Sequence, residues 1–130
     1  MFVSSLNKDQ QGILLSFAEQ VVCADGVITT DEKILLDSIV AQCSPTVKKI
    51  SVEVDSLSTL FNTQQSKVSL LLELIGLAYA DEEYHESERS LIKIVAKALD
   101  IESDLLEEME SWVARQFILI HEAKTFMEEV

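Results

Sequence analysis

Residues 70–101 read LLLELIGLAYADEEYHESERSLIKIVAKALDI, and residues 14–40 read LLSFAEQVVCADGVITTDEKILLDSIV. The two stretches echo each other at an offset of 56: Leu14, Leu15, Ala24, Asp25, Glu32 and Leu35 return as Leu70, Leu71, Ala80, Asp81, Glu88 and Leu91. Each copy is an apolar segment ending in Ala-Asp, a short break, and a second segment with a glutamate seven residues after that aspartate. Apolar residues recur every three or four positions in both, the period of a helix with one buried side. A duplicated helical hairpin accounts for the pattern. It predicts an all-α fold, a compact bundle of about six to eight helices with antiparallel neighbours.

Working outward, Asn7 is placed to cap a first helix and Gly26 to stop it. Thr29 and Glu32 have capping-box spacing at the start of a second, whose inner face is read as Leu35, Leu36, Ile39 and Val40. Ser44-Pro45 reads as a further N-cap with proline at the first helical position, opening one or two short helices up to Leu60 and Phe61. Thr63 caps a segment from Gln64 to Ala80 that is apolar almost all round and so belongs at the centre. Leu91, Ile92, Val95, Ala98 and Leu99 form an amphipathic stripe between Glu86 and Leu99. Leu105, Leu106, Met109, Trp112, Val113 and Ile120 form another from Ser103 to about His121; the tail to Val130 extends this helix or folds back. The expected organisation is one domain over 1–130, with repeat halves at about 7–43 and 63–100 and a C-terminal helix at about 103–121 plus its tail.

Composition narrows the function classes. The 130 residues include 48% hydrophobic residues, 3 Gly and 1 Pro, too few breakers for a turn-rich β architecture. With 23 acids against 10 bases, the net charge of −13 leaves no cationic surplus for phosphates, so nucleic-acid binding is not expected. An anionic membrane surface repels such a chain, and the most apolar run, Val68 to Ala80, is too short to insert. Cys23 and Cys43 lack metal spacing, and no cationic, apolar leader opens the chain. The expectation is a cytoplasmic protein with two free, buried thiols.

The repeat singles out four acids: Asp25, Glu32, Asp81 and Glu88. Glu32 and Glu88 fall in the first turn of a helix, where the macrodipole favours an anion and a carboxylate can accept backbone N–H bonds. Asp25 and Asp81 lie near helix C-termini, where a negative charge is disfavoured, so something must offset them. One reading is an Asp-Gly turn at Asp25-Gly26, since caps and turns are far commoner than metal sites. The other is a divalent cation shared with the glutamates, with calcium or magnesium suiting carboxylates better than zinc or copper. An EF-hand does not fit: matching Asp25, Gly26, Ile28 and Glu32 to that loop puts Val21 and Cys23 in ligand positions. In the second copy Leu77 and Tyr79 fill them, and Glu82 replaces the glycine.

The segments AEQVVCADGVITTDEKILLDSIV (18–40) and AYADEEYHESERSLIKIVAKALDI (78–101) resemble the TerB-like family, named for tellurite-resistance protein B. The resemblance runs from about Leu6 to Ile101. It implies an all-helical domain of duplicated hairpins in bacterial stress-response and tellurite-resistance systems. It also implies a non-enzymatic role, occurrence in fusion with other proteins that include membrane-associated co-chaperones, protein partners that include membrane-associated stress-response proteins, and a metal held by Asp25, Glu32, Asp81 and Glu88. Glu82 departs from the glycine of many relatives, which puts the second half-site in doubt.

Other constellations are weaker. Asp81–Glu88 holds five acids and His85, and Glu82 with His85 has the Glu-x-x-His spacing of di-iron bundles. The second such motif is missing, because Ile118 stands three residues before His121. His85 is read as a helix-start residue and an auxiliary ligand at most. Most of the run Glu102, Asp104, Glu107, Glu108 and Glu110 reads as the solvated face of the last helix, with a docking surface for a cationic partner as the alternative. Trp112 and Phe117 read as core or interface anchors. No Gly-rich phosphate loop, HExxH or GxSxG occurs, and neither cysteine adjoins a histidine in sequence. Three functions therefore stand: a metal-binding interaction module, a purely structural interaction domain, and a metal-dependent enzyme, which would need a polar pocket gathering at least three of the repeat acids or His85.

Overall fold

Reciprocal capping bonds mark where helices begin. Asn7 Oδ1 accepts from Gln10 N at 2.8 Å while Gln10 Oε1 accepts from Asn7 N at 2.9 Å, which opens α1 (Lys8–Cys23). Thr29 and Glu32 make the same box at the start of α2 (Thr30–Gln42), and Thr63 with Ser66 does so for α4 (Gln64–Ala78). Between them lies the single turn α3 (Leu57–Leu60); α5 (Glu86–Ala98) and α6 (Ser103–Met127) complete the order. The computed structural model describes residues 1–24, 26–80 and 84–128. Among these the ordered elements are six α-helices and two 3₁₀ turns, Val3–Ser5 and Val54–Ser56, with no strand.

The repeat is structural as well as sequential. α4 and α5 begin 56 residues after α1 and α2 begin, and α5 ends 56 residues after α2. Both hairpins turn one apolar face inward. α4 sits at the centre, packed against α1, α2, α5 and α6, with Leu70, Leu71, Leu74 and Ile75 fully buried. Phe17, Leu14, Ile92, Val95 and Leu99 close around it.

The stretch after Ser44-Pro45 departs from the expected helix. Residues 45–46 form a turn in which Val47 N donates to Ser44 O at 3.0 Å, and residues 47–53 run without helix. Ile50, Val52 and Val54 are half-buried against the core while Ser51, Glu53 and Asp55 face solvent, an alternation that extended backbone imposes. This strap crosses α1 at Gly12, where Ile50 N donates to Gly12 O at 3.1 Å. A side chain at Gly12 would place its Cβ 2.4 Å from Lys48 O, so only glycine admits the crossing. Gln11 helps hold the strap: its Oε1 accepts from Ser44 N at 2.9 Å and its Nε2 donates to Leu6 O at 3.0 Å.

Four side chains sit elsewhere than their periodicity predicts. Val40 and Ile120 are half-exposed, because α2 and the second half of α6 are covered on one flank only. Cys23 is exposed at the last turn of α1, and Cys43 is half-buried, so the expected pair of buried thiols does not form. Burial and the nearby Glu73 carboxylate raise the Cys43 thiol above its ordinary range. α6 extends through the tail to Met127 and does not fold back.

Candidate functional site

The first turns of α2 and α5 carry Glu32 and Glu88, each only 1% exposed. Both lie at the third helical position, after the N-caps Thr29 and His85. Glu32 Oε1 accepts from Thr29 N at 3.0 Å, and Glu32 N donates to Thr29 Oγ1 at 3.1 Å. That box satisfies one carboxylate oxygen. Glu32 Oε2 is buried and has no hydrogen-bond partner among the described residues. A capping glutamate ordinarily leaves its second oxygen in water; taking it out of water unpaired costs about 1–3 kcal/mol or more. The arrangement is therefore more than a cap requires.

His85 is the N-cap of α5 and half-buried, and its side chain makes no capping bond to that helix. Asp25 and Asp81 fall outside the described residues, as does Glu82. The hairpins thus bring Glu32 and Glu88 to equivalent buried positions. No group of three or more His, Cys, Asp or Glu placed to hold a metal occurs among the described residues.

Beside the second hairpin loop stands a cluster that periodicity does not reveal. Tyr79 and Tyr84 bracket the loop and pack ring to ring at 4.6 Å, and Tyr79 stacks on Phe117 of α6 at 6.4 Å. Behind them Glu110 is only 7% exposed, which corrects its assignment to a solvated face, and it pairs with Arg89 at 3.6 Å. The rest of the acidic run, Glu102, Asp104, Glu107 and Glu108, is exposed as expected. One sequence signal could have found Glu110: it follows Leu106 by four and Met109 by one, on the edge of the buried stripe. The cluster joins the loop before α5 to the middle of α6.

Burial, then the Glu110 carboxylate facing the hydroxyl, pushes the Tyr84 phenol well above its ordinary value. The folded state therefore holds a proton there that the unfolded chain releases near pH 10. A group raised on folding contributes stability that is complete below its unfolded pKa and is lost as pH rises beyond it. Unfolding midpoints should fall with pH above about 10, and Tyr84→Phe should flatten that fall relative to the parent chain. Denaturant titrations from neutral to alkaline pH check this; parallel losses in both chains would contradict it.

Residues 46–111 match the family model described as tellurite resistance protein TerB. No curated protein and no solved structure matches the chain. The matched span covers the strap, α3, α4, α5 and the first part of α6, and so includes Glu88 and the aromatic cluster.

Proposed function

The chain belongs to the TerB family, and on that footing we propose that it acts as a binding module whose two hairpin loops hold a divalent cation. The observation that carries this reading is Glu32 Oε2, a carboxylate oxygen buried at a helix start without a donor among the described residues. A cation is the counterpart such an oxygen lacks. Glu88, buried to the same degree at the equivalent position, gives the second hairpin a matching carboxylate. Asp25 and Asp81 precede them by seven residues and would complete an all-oxygen set, with His85 as an auxiliary ligand. Oxygen ligands select calcium or magnesium. The cation would act structurally, tying the loops into one surface that a protein partner reads. Cytoplasmic stress-response proteins, including membrane-associated ones, are the partners this reading expects; no helix among the described residues is long and apolar enough to cross a membrane.

A purely structural reading draws on the capping box, which already employs Glu32 Oε1. Thermal unfolding of chelator-stripped chain separates the two. Calcium or magnesium at about ten times its dissociation constant should add about 1.4 kcal/mol, raising the midpoint by several degrees. The shift should survive high salt and vanish in Asp25→Asn and in Glu32→Gln, which keeps the capping acceptor. A shift abolished by salt, or none, would assign the acids to caps and turns.

A further inference from the structure

The second half of α6 has an apolar face that nothing among the described residues covers. Phe126 is 85% exposed, Met127 78%, Leu119 61% and Ile120 51%. With Ala123 they span an arc of about 120° on a helical projection, the width of a face that ordinarily packs on a core. Glu122 and Lys124 stand on its two flanks, and the far side holds Ile118, His121, Thr125 and Glu128. A helix lying on an anionic bilayer needs a basic surplus on its polar side, and one lysine against Glu122 and Glu128 does not supply it, so lipid does not suit this face.

We propose that this face pairs antiparallel with the same face of a second copy of the chain. Charge sets the register. Arg115 and Glu122, both exposed, are seven residues apart and therefore lie on one flank of the stripe, about two turns from each other. In a two-fold pair centred between Ile118 and Leu119, Arg115 of each copy meets Glu122 of the other, giving two symmetric charge pairs. From residue 115 to 128 two bases, Arg115 and Lys124, balance two acids, Glu122 and Glu128, in a chain whose net charge is −13. This segment is one over which two copies can approach without net repulsion.

The same register seats the aromatic end. Phe126 lies about 11 Å along the helix from the two-fold, and so comes opposite Ser111 and Trp112 of the second copy. There an apolar cavity of about 220 Å³ opens between α2 and α6, lined by Phe2, Leu35, Trp112 and Gln116. Covering the four apolar side chains and their flanks on both copies removes on the order of 1,000–1,300 Å² from water, the lower range for a specific interface. Area alone does not set affinity; with one aromatic anchor and charge pairs confined to the rim, the expected dimer is of roughly micromolar affinity.

Sedimentation equilibrium of the full chain, from about 1 to 500 µM, tests the pairing against the mass-action curve of a micromolar dimer. The expected result is a concentration-dependent dimer that Phe126→Ser and Arg115→Glu each weaken about tenfold, because one empties the cavity and the other faces like charges twice. Arg115→Glu combined with Glu122→Arg should restore association. All substituted positions are exposed, so unchanged helical circular dichroism verifies folding. A chain monomeric throughout the range would overturn the pairing. So would a dimer indifferent to both single changes, a charge reversal that restores nothing, or vesicle binding through Phe126 without dimer.

Discussion

Phe61→Ala is expected to cost about 3–5 kcal/mol and lower the unfolding midpoint by roughly 10–20 °C. Phe61 closes α3, where its N donates to Leu57 O at 2.8 Å, and both side chains are fully buried. Phe61 belongs to the core cluster, α3 packs on α5, and Gln10 Nε2 of α1 donates to Leu60 O at 2.9 Å. A single turn of helix has no stability of its own, so its position depends on that ring. Alanine leaves a void whose walls are helices pinned elsewhere and unable to collapse. Ile94→Ala, on the exposed face of α5, should change stability by no more than about 0.5 kcal/mol. Chemical denaturation of the three chains decides the matter; similar midpoints would mean the 57–61 segment is not part of the cooperative core.

At Gly12 the expectation runs against helix propensity. Alanine in a helix interior ordinarily gains up to about 1 kcal/mol over glycine. Here its Cβ would stand 2.4 Å from Lys48 O and about 3 Å from the Ile50 side chain, and Lys48 O belongs to backbone. The strap must lift, losing the Ile50 N to Gly12 O bond and part of the burial of Ile50 and Val52. Overpacking of this kind costs about 1–3 kcal/mol, so Gly12→Ala should lose roughly 1–2 kcal/mol net, and Gly12→Val about 3 or more. Proteolysis within residues 45–53 should accelerate in both variants, since the strap would spend longer detached. A Gly12→Ala chain more stable than the parent would show that the strap is not held against α1.

Most helices could be read directly because their signals are local. Asn7, Thr29 and Thr63 were recognisable as caps from residue type and spacing, and each makes its capping bond within its own first turn. The offset of 56 set the hairpins in correspondence because a duplicated unit repeats its caps and its stripe together. The path of residues 45–53 was not readable that way. Ser44-Pro45 suits a helix start, but Ile50, Val52 and Val54 gain more by turning onto the core than by forming an isolated helix.

The candidate site divides along the same line. Periodicity and the repeat named Glu32 and Glu88, and local chemistry explained one oxygen of Glu32 as a cap. Their burial, and the second Glu32 oxygen left without a donor among the described residues, came from the hairpins closing over them, which no local pattern encodes. Glu110, Val40, Ile120 and Cys23 follow the same rule in both directions. A helical stripe says which side chains share a face, whereas the neighbouring element decides how far along the helix that face is covered. α6 shows it most plainly: one continuous helix from Ser103 to Met127 is buried at Leu106, Met109 and Val113, then runs past the body and carries its apolar face into solvent. Sequence alone therefore determined the helices, their caps and their duplication, because those rest on interactions within a few residues. Tertiary structure decided the strap, the buried carboxylates and the uncovered face, because burial belongs to pairs of elements and not to either one.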